Sequence, residues 1–209
     1  MRDSKCKICR RLGVKLFLKG ERCLSPKCPM VKRAYPPGEK RKRKGGGLSE
    51  YGKELREKQK LKNWYNLQER QFRNYVKQIL EKRGRVQDAG VLLIRKLERR
   101  LDNVVFRLGF TSSRNQARQL IVHGHFLVNG SKVKSPAYQV RKEDKISFHP
   151  RSVKMAAFKN LSSSLKKYQP PSWLELDIKN LEGKVVGEPS LEEAGLPAEI
   201  SSIFEFYSR

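Results

Sequence analysis

Cysteine is confined to the first 28 residues of this 209-residue chain, as Cys6-x-x-Cys9, thirteen residues, Cys23, four residues, and Cys28. Lys5, Lys7, Arg10, Arg11, Lys15, Lys19, Arg22 and Lys27 lie between and around them. Two short knuckles joined by a basic loop describe a tetrahedral thiolate site that holds a small cationic module in shape, with sulfur atoms converging at about 2.3 Å from one ion. A reducing compartment favours metal over disulfides for such a set. Structural zinc is the expected occupant. An iron–sulfur cluster uses the same ligands, and plain reduced thiols are the bland alternative. Four protein ligands leave no open position for water, so the site is not expected to be catalytic.

Charge says what the module meets. The chain carries a formal net charge of +26. Residues 1–44 hold sixteen lysines and arginines against three acids, whereas residues 170–209 hold three cations against eight acids. A basic front and a mildly acidic tail suggest that one end grips phosphates while the other packs on protein. The longest apolar runs, 91–94 and 155–158, are four residues, far below the ~20 that span a bilayer. No basic amphipathic helix with an aromatic face accompanies the N-terminal charge, which favours nucleic acid over a membrane surface. No charged-then-apolar stretch opens the chain, so a cytoplasmic location is expected and export is not.

Periodicity predicts the elements. Tyr35-Pro-Pro-Gly38 breaks regular structure, and the run containing Arg41, Lys42, Arg43 and Lys44 ends in three glycines; it reads as a basic arm that orders on RNA. Ser49 caps a helix to about Tyr65. A second helix, about 68 to 83 and stopped by Gly84, carries Phe72, Tyr75, Val76, Ile79 and Leu80 on one stripe. Opposite lie Arg56, Lys58, Lys60, Lys62, Arg70, Arg73 and Lys77 as a cationic outer surface. Asp88 caps a third helix, and residues 100–109 form a short one ended by glycine. Ser113 and Gln116 read as a capping box, with Arg114 and Arg118 sharing the outer face of the helix that follows. Asn129-Gly130 marks a hairpin. Residues 138–140 and 145–148 read as further strands, 151–167 as helix, 173–177 as strand, and 200–207 as a closing segment whose Ile203, Phe204 and Phe206 pack back on the earlier helices.

Two helices docked on a small sheet present a surface rather than a cleft. The amides of the helix that Ser113 and Gln116 open favour phosphate. Arg114 and Arg118, with Arg99, Arg100 and Arg107 nearby in sequence, can surround it. Such a surface reads backbone and 2′-hydroxyls, which suits folded RNA. His123, His125 and His149 are the three histidines. The first two flank Gly124 in a basic region, where a phosphate-facing or capping role is more natural than general-base work. Neither a Gly-rich phosphate loop, nor a Ser-His-Asp pattern, nor a paired-carboxylate cleft is present, so the chain is not read as an enzyme.

These residues carry a resemblance. The cysteine pattern, residues 13–22, Leu55-Arg-Glu-Lys-Gln-Lys60, Glu69-Arg-Gln-Phe-Arg-Asn74, Arg100-Leu-Asp-Asn-Val-Val105, Gln116-Ala-Arg-Gln-Leu120, Val128-Asn-Gly130 and Glu205-Phe-Tyr-Ser-Arg209 resemble the bacterial small-ribosomal-subunit proteins numbered four, over nearly the whole chain. Residues 100–148 alone match a wider RNA-binding module. The resemblance implies a protein that binds the 5′ domain of 16S rRNA at a multi-helix junction and nucleates assembly of the subunit body. It also implies contact with the neighbouring ribosomal protein numbered five, at an interface that influences accuracy, and a basic N-terminal region near the site where mRNA enters. By matching position, Cys6, Cys9, Cys23 and Cys28 would hold the metal, and Arg56, Lys58, Arg70, Arg73, Arg114, Gln116, Arg118 and His123 would contact RNA. Two departures stand out: residues 39–47 replace a Pro-Gly-x-His-Gly segment, and Glu143 stands where a turn glycine is usual.

The fold expected is α+β: an N-terminal four-cysteine metal module, a mostly helical body, and an inserted RNA-binding domain of two helices and a small antiparallel sheet. The boundaries expected are 1–47 for the module and linker, 48–97 for the body (completed by 178–209), and 98–177 for the RNA-binding domain. The function expected is a structural and assembly component of the small subunit. An RNA-modifying enzyme and a zinc-dependent DNA-binding regulator are the rivals.

Overall fold

The computed structural model describes residues 4–38, 47–81, 89–153, 155, 158 and 161–208. Three short helices, α1 (Lys5–Leu12), α2 (Glu21–Leu24) and α3 (Pro29–Lys32), precede the longer α4 (Glu50–Trp64), α5 (Glu69–Leu80) and α6 (Ala89–Glu98). Then come α7 (Leu101–Arg107), α8 (Arg114–Val122), β1 (Phe126–Val128), β2 (Ser131–Lys132), β3 (Lys145–Phe148), α9 (Pro150–Val153) and α10 (Leu161–Leu165). The chain closes with β4 (Leu174–Asp177), β5 (Glu182–Val185), α11 (Leu191–Ala194) and α12 (Ile200–Ser208). Residues 1–93 and 195–209 make one compact unit, and 94–194 make a second.

In the first unit, α4 begins where the Ser49 hydroxyl accepts the Gly52 amide at 3.2 Å, which satisfies one of the orphan donors of a helix start. Leu61 of α4 and Tyr65 at its C-terminal cap, with Phe72, Val76 and Ile79 of α5, are fully buried, as their helical spacing predicts. The chain returns to this core through α12, where Ile203 is fully buried and the Phe206 and Tyr207 rings lie 5.4 Å and 6.3 Å from Tyr51 and Phe72. The cysteine-bearing segment has its own small core, in which Cys9, Leu16 and Leu18 meet Ile8, Leu12, Val14, Met30 and Trp64. Lys5 Nζ donates to Asn66 Oδ1, fastening α1 to the turn after α4.

In the second unit a five-stranded antiparallel sheet runs in the order β2-β1-β3-β5-β4. Phe126 pairs with Phe148 and Val128 with Ile146. These side chains share one face and, with Leu101, Val104, Val105, Leu108, Ala117 and Ile121 of the two helices, form the core. The hairpin turns on Asn129 (φ 50) and Gly130 (φ 77), the left-handed pair that matches strand twist. Asn129 is held there by accepting from the Lys145 amide (2.9 Å) and donating to Asp144 (2.8 Å).

Several expectations need correction. The return to the first unit begins at Gly195, not at residue 178, because β5 completes the sheet of the second unit. Only Val185 is apolar in β5 apart from Gly183, which faces Leu108 so closely that a Cβ there would overlap it; the strand therefore has no alternating signature. Residues 138–140 form one isolated bridge, Arg100 to Gln139, rather than a strand. The stretch 151–167 is not one helix, since α9 and α10 are separate. Gln116 reaches back to the Ser112 amide (3.1 Å) and hydroxyl (2.9 Å), one residue before the box position, while Ser113 Oγ does accept the Gln116 amide at 3.3 Å. Glu143 takes φ 71, the conformation a glycine would adopt freely. The stops at Gly84 and the Asp88 cap lie outside the described residues.

Glu69 links α5 to α4 and α12: it accepts from Lys58 (2.7 Å), Lys62 (2.9 Å) and the Tyr207 hydroxyl (2.9 Å). Burial alone would raise its carboxyl, but these hydrogen bonds and the Lys62 charge outweigh burial and pull it from 4.5 to about 2. A depressed folded value contributes stability that is complete above the ordinary carboxyl range and is lost as pH falls toward the folded value. Urea unfolding at about pH 6 and about pH 3 should therefore show an acid-sensitive loss that Glu69→Gln removes, on the order of 1 kcal/mol after solvent screening.

Candidate nucleic-acid interface

The cations that the sequence marks for phosphate divide into two populations. Arg56, Arg70 and Arg73 stand exposed on α4 and α5. Lys58 does not. It is buried, paired with Glu69, and its ammonium lies 4.4 Å from the Phe206 ring centre and 5.6 Å from that of Tyr207. Lys62 is drawn to the same carboxylate and Lys60 to Glu57, so the outer surface expected there is narrower than its lysine count suggests.

The second unit shows the same division more sharply. Arg100 is buried and forks onto Asp102 through Nε (3.0 Å) and Nη2 (2.7 Å). Arg107 forks onto Glu98 (3.0 and 2.9 Å) and also donates to the Ala194 carbonyl at 2.7 Å. Asn103 donates to Glu98 at 2.7 Å, and its own oxygen accepts Arg114 Nε at 2.7 Å. The Arg114 guanidinium, itself buried, lies 4.6 Å from the Phe106 ring centre. Arg99 is half-buried and donates to the Val140 carbonyl at 2.8 Å. Arg100, Arg107 and Arg114 are therefore tied into the framework of α6, α7 and α8, whereas Arg99 keeps the same partial exposure as Arg118. Ser113 is also buried, in its capping role. Gln116 and His123 remain exposed and Arg118 half-exposed on α8. Arg41, Lys42, Arg43 and Lys44 lie outside the described residues.

Burial pushes the Asp102 carboxyl up, against the pull of Arg100, Arg118 and Arg114. Arg114 turns inward because Glu98, Asp102 and Asn103 are buried polar groups that need partners. Those polar residues were the available signal. Lys132 was missed altogether; it crosses Gly124, where a Cβ would overlap its Cε, and so sits beside His123 and His125.

At the other site, Cys9, Cys23 and Cys28 are buried and Cys6 is half-buried, all as free thiols lining one small cavity with Lys15, Leu18 and Met30. The Lys19 amide donates to Cys23 Sγ at 3.3 Å. Burial first, and then the neighbouring thiols, raise the Cys9 thiol, against a backbone hydrogen bond from Leu16. Among the described residues no group of three or more Cys, His, Asp or Glu side chains has metal-ligand geometry. The four thiols that share this lining are the donor type a tetrahedral thiolate site uses.

Residues 1–98 match the ribosomal protein S4/S9 N-terminal domain, and residues 99–146 match the S4 domain. The small ribosomal subunit protein uS4 of Thermus thermophilus is 45% identical over 204 residues, covering 98% of this chain and 96% of its own. The chain belongs to the uS4 family. The uS4 protein of Halothermothrix orenii is 48% identical over the same length and coverage, and the uS4A protein of Alkaliphilus oremlandii is 48% identical over 210 residues, covering 99% and 98%. This is a family of ribosomal proteins rather than enzymes, in keeping with the reading of the sequence. Among the described residues no helix is long and apolar enough to cross a membrane.

The division of the arginines gives a measurable contrast. Arg114→Met should leave the Asn103 oxygen unmatched and lower stability by roughly 1–3 kcal/mol in chemical denaturation. Arg118→Met should change stability by no more than about 0.5 kcal/mol.

Proposed function

We propose that this protein is a structural, non-catalytic constituent of the small ribosomal subunit that binds 16S rRNA directly. The observation that carries this reading is the match to uS4 relatives over practically the full length of both chains. The charge agrees with it: a net +26 needs a polyanion, and Arg56, Arg70, Arg73, Gln116, Arg118 and His123 stand where RNA could reach them. The stretch from Arg41 to Lys44 adds charge to the same task. Ser113 serves indirectly, by starting the helix that presents Gln116 and Arg118.

Finer roles follow from the resemblance and are part of the proposal. The protein nucleates assembly of the subunit body, contacts the neighbouring ribosomal protein numbered five, and places its basic N-terminal region near incoming mRNA, all in the cytoplasm. A single structural zinc ion held by Cys6, Cys9, Cys23 and Cys28 would complete the N-terminal module. The supporting feature is that the four thiols line one cavity with three of them buried.

Two measurements test this. Replacing Arg70, Arg73 and Arg118 with glutamine should weaken binding to 16S rRNA and reduce the slope of log affinity against log salt by up to about three. An unchanged slope would remove them from the interface. Metal analysis of the purified chain should find about one zinc per molecule; iron with visible absorbance would instead identify a cluster on the same thiolates.

A further inference from the structure

We infer that His123, His125, His149 and Lys132 form a proton-linked binding patch for an RNA phosphodiester, so that this protein takes up a proton when it binds. The inference rests on the proposed binding of 16S rRNA and assigns one further subsite to it. The chain has three histidines, and the fold gathers all of them. His123 follows the last turn of α8, His125 immediately precedes β1, and His149 immediately follows β3. The His149 amide donates to the His125 carbonyl at 2.9 Å, which pins the end of one strand to the start of its neighbour. The His123 and His125 rings are 6.2 Å apart. Lys132, from β2, lies across Gly124 (φ 76), with its ammonium 3.1 Å from where a Cβ would stand. A side chain at residue 124 would displace the lysine chain that lies there.

The charge environment is one-sided. Burial first, and then His123 from α8, Lys132 from β2 and His149 from the end of β3, hold the His125 imidazolium below its ordinary range. None of these groups is a carboxylate. From α9 the contact is Ser152, whose hydroxyl lies 2.9 Å from His125 Nδ1 and does not titrate in this range. His149 Nδ1 accepts the Arg151 amide at 3.3 Å, which leaves Nε2 to carry the proton in the neutral ring. Imidazoles are also metal ligands, but no metal-ligand geometry is present among the described residues, and the Lys132 charge acting on His125 opposes a cation. An anion has the opposite effect. A phosphate supplies the counter-charge the cluster lacks and favours the protonated rings, so binding and protonation reinforce each other.

The test uses the full chain and 16S rRNA at constant salt. Calorimetric titration near pH 6.5, in two buffers of different ionisation enthalpy, should show net uptake of roughly one proton per complex. Affinity should rise about tenfold between about pH 7.5 and about pH 5.5. The triple variant H123Q/H125Q/H149Q should lose most of both effects. Because His125 is partly buried, H123Q, at an exposed position 6.2 Å from His125, provides a gentler variant, expected to reduce the uptake measurably. A binding heat independent of buffer in the unmodified protein, or undiminished uptake in the variants, would overturn the inference while leaving rRNA binding intact. No binding at any pH would sink both readings.

Discussion

Carboxylates are scarce in this chain, and where each one sits decides which cations turn inward. Glu69 gathers Lys58 and Lys62 and takes a third hydrogen bond from Tyr207. Glu98 receives the fork of Arg107 and, through Asn103, fixes Arg114. Asp102 receives Arg100. A charge removed from water must be paired, and removing one partner costs far more than the pair contributes net. With 47 lysines and arginines against 21 acids, more than half of the cations have no carboxylate to match them one for one. Among the described residues, exposed cations such as Arg56, Arg70 and Arg73 are left to meet phosphate.

The two populations have different work. Arg100, Arg107 and Arg114 hold α7 and the start of α8 in place from within, with Phe106 under one guanidinium. The outward groups of α8 then point from a fixed support: Gln116 tied to Ser112, with Arg118 half-exposed and His123 exposed. A binding surface built on rigid elements loses little side-chain and backbone freedom when its ligand arrives. The Asn129-Gly130 hairpin extends the same logic, because Asp144 and Asn129 lock the turn that carries Lys132 to Gly124.

The N-terminal module shows how little apolar area can suffice when other constraints help. Its core is Cys9, Leu16 and Leu18 with a few half-buried neighbours, too small to be independently stable by burial alone. The hydrogen bond from Lys5 to Asn66 ties this small core to the turn after α4, which adds a constraint that apolar packing does not.

Local pattern determined much of this. The helical stripe of Phe72, Val76 and Ile79, the Ser49 and Ser113 caps, the Asn-Gly hairpin and the cysteine knuckles are each short-range consequences of residue type and spacing, and so were legible from the chain alone, as were the family and its polyanionic partner. Long-range geometry decided the rest. Sequence could not show that β5 adds to the sheet, because Gly183 earns its place only against Leu108. It could not show that Arg114 faces Asn103 while Arg118, four residues on, stays half-exposed, or that Lys132 and His149 meet the other two histidines. An arginine carries the same charge wherever it lies; whether it supports the fold or reaches for phosphate depends on which carboxylate or carbonyl the folded backbone brings within about 3 Å.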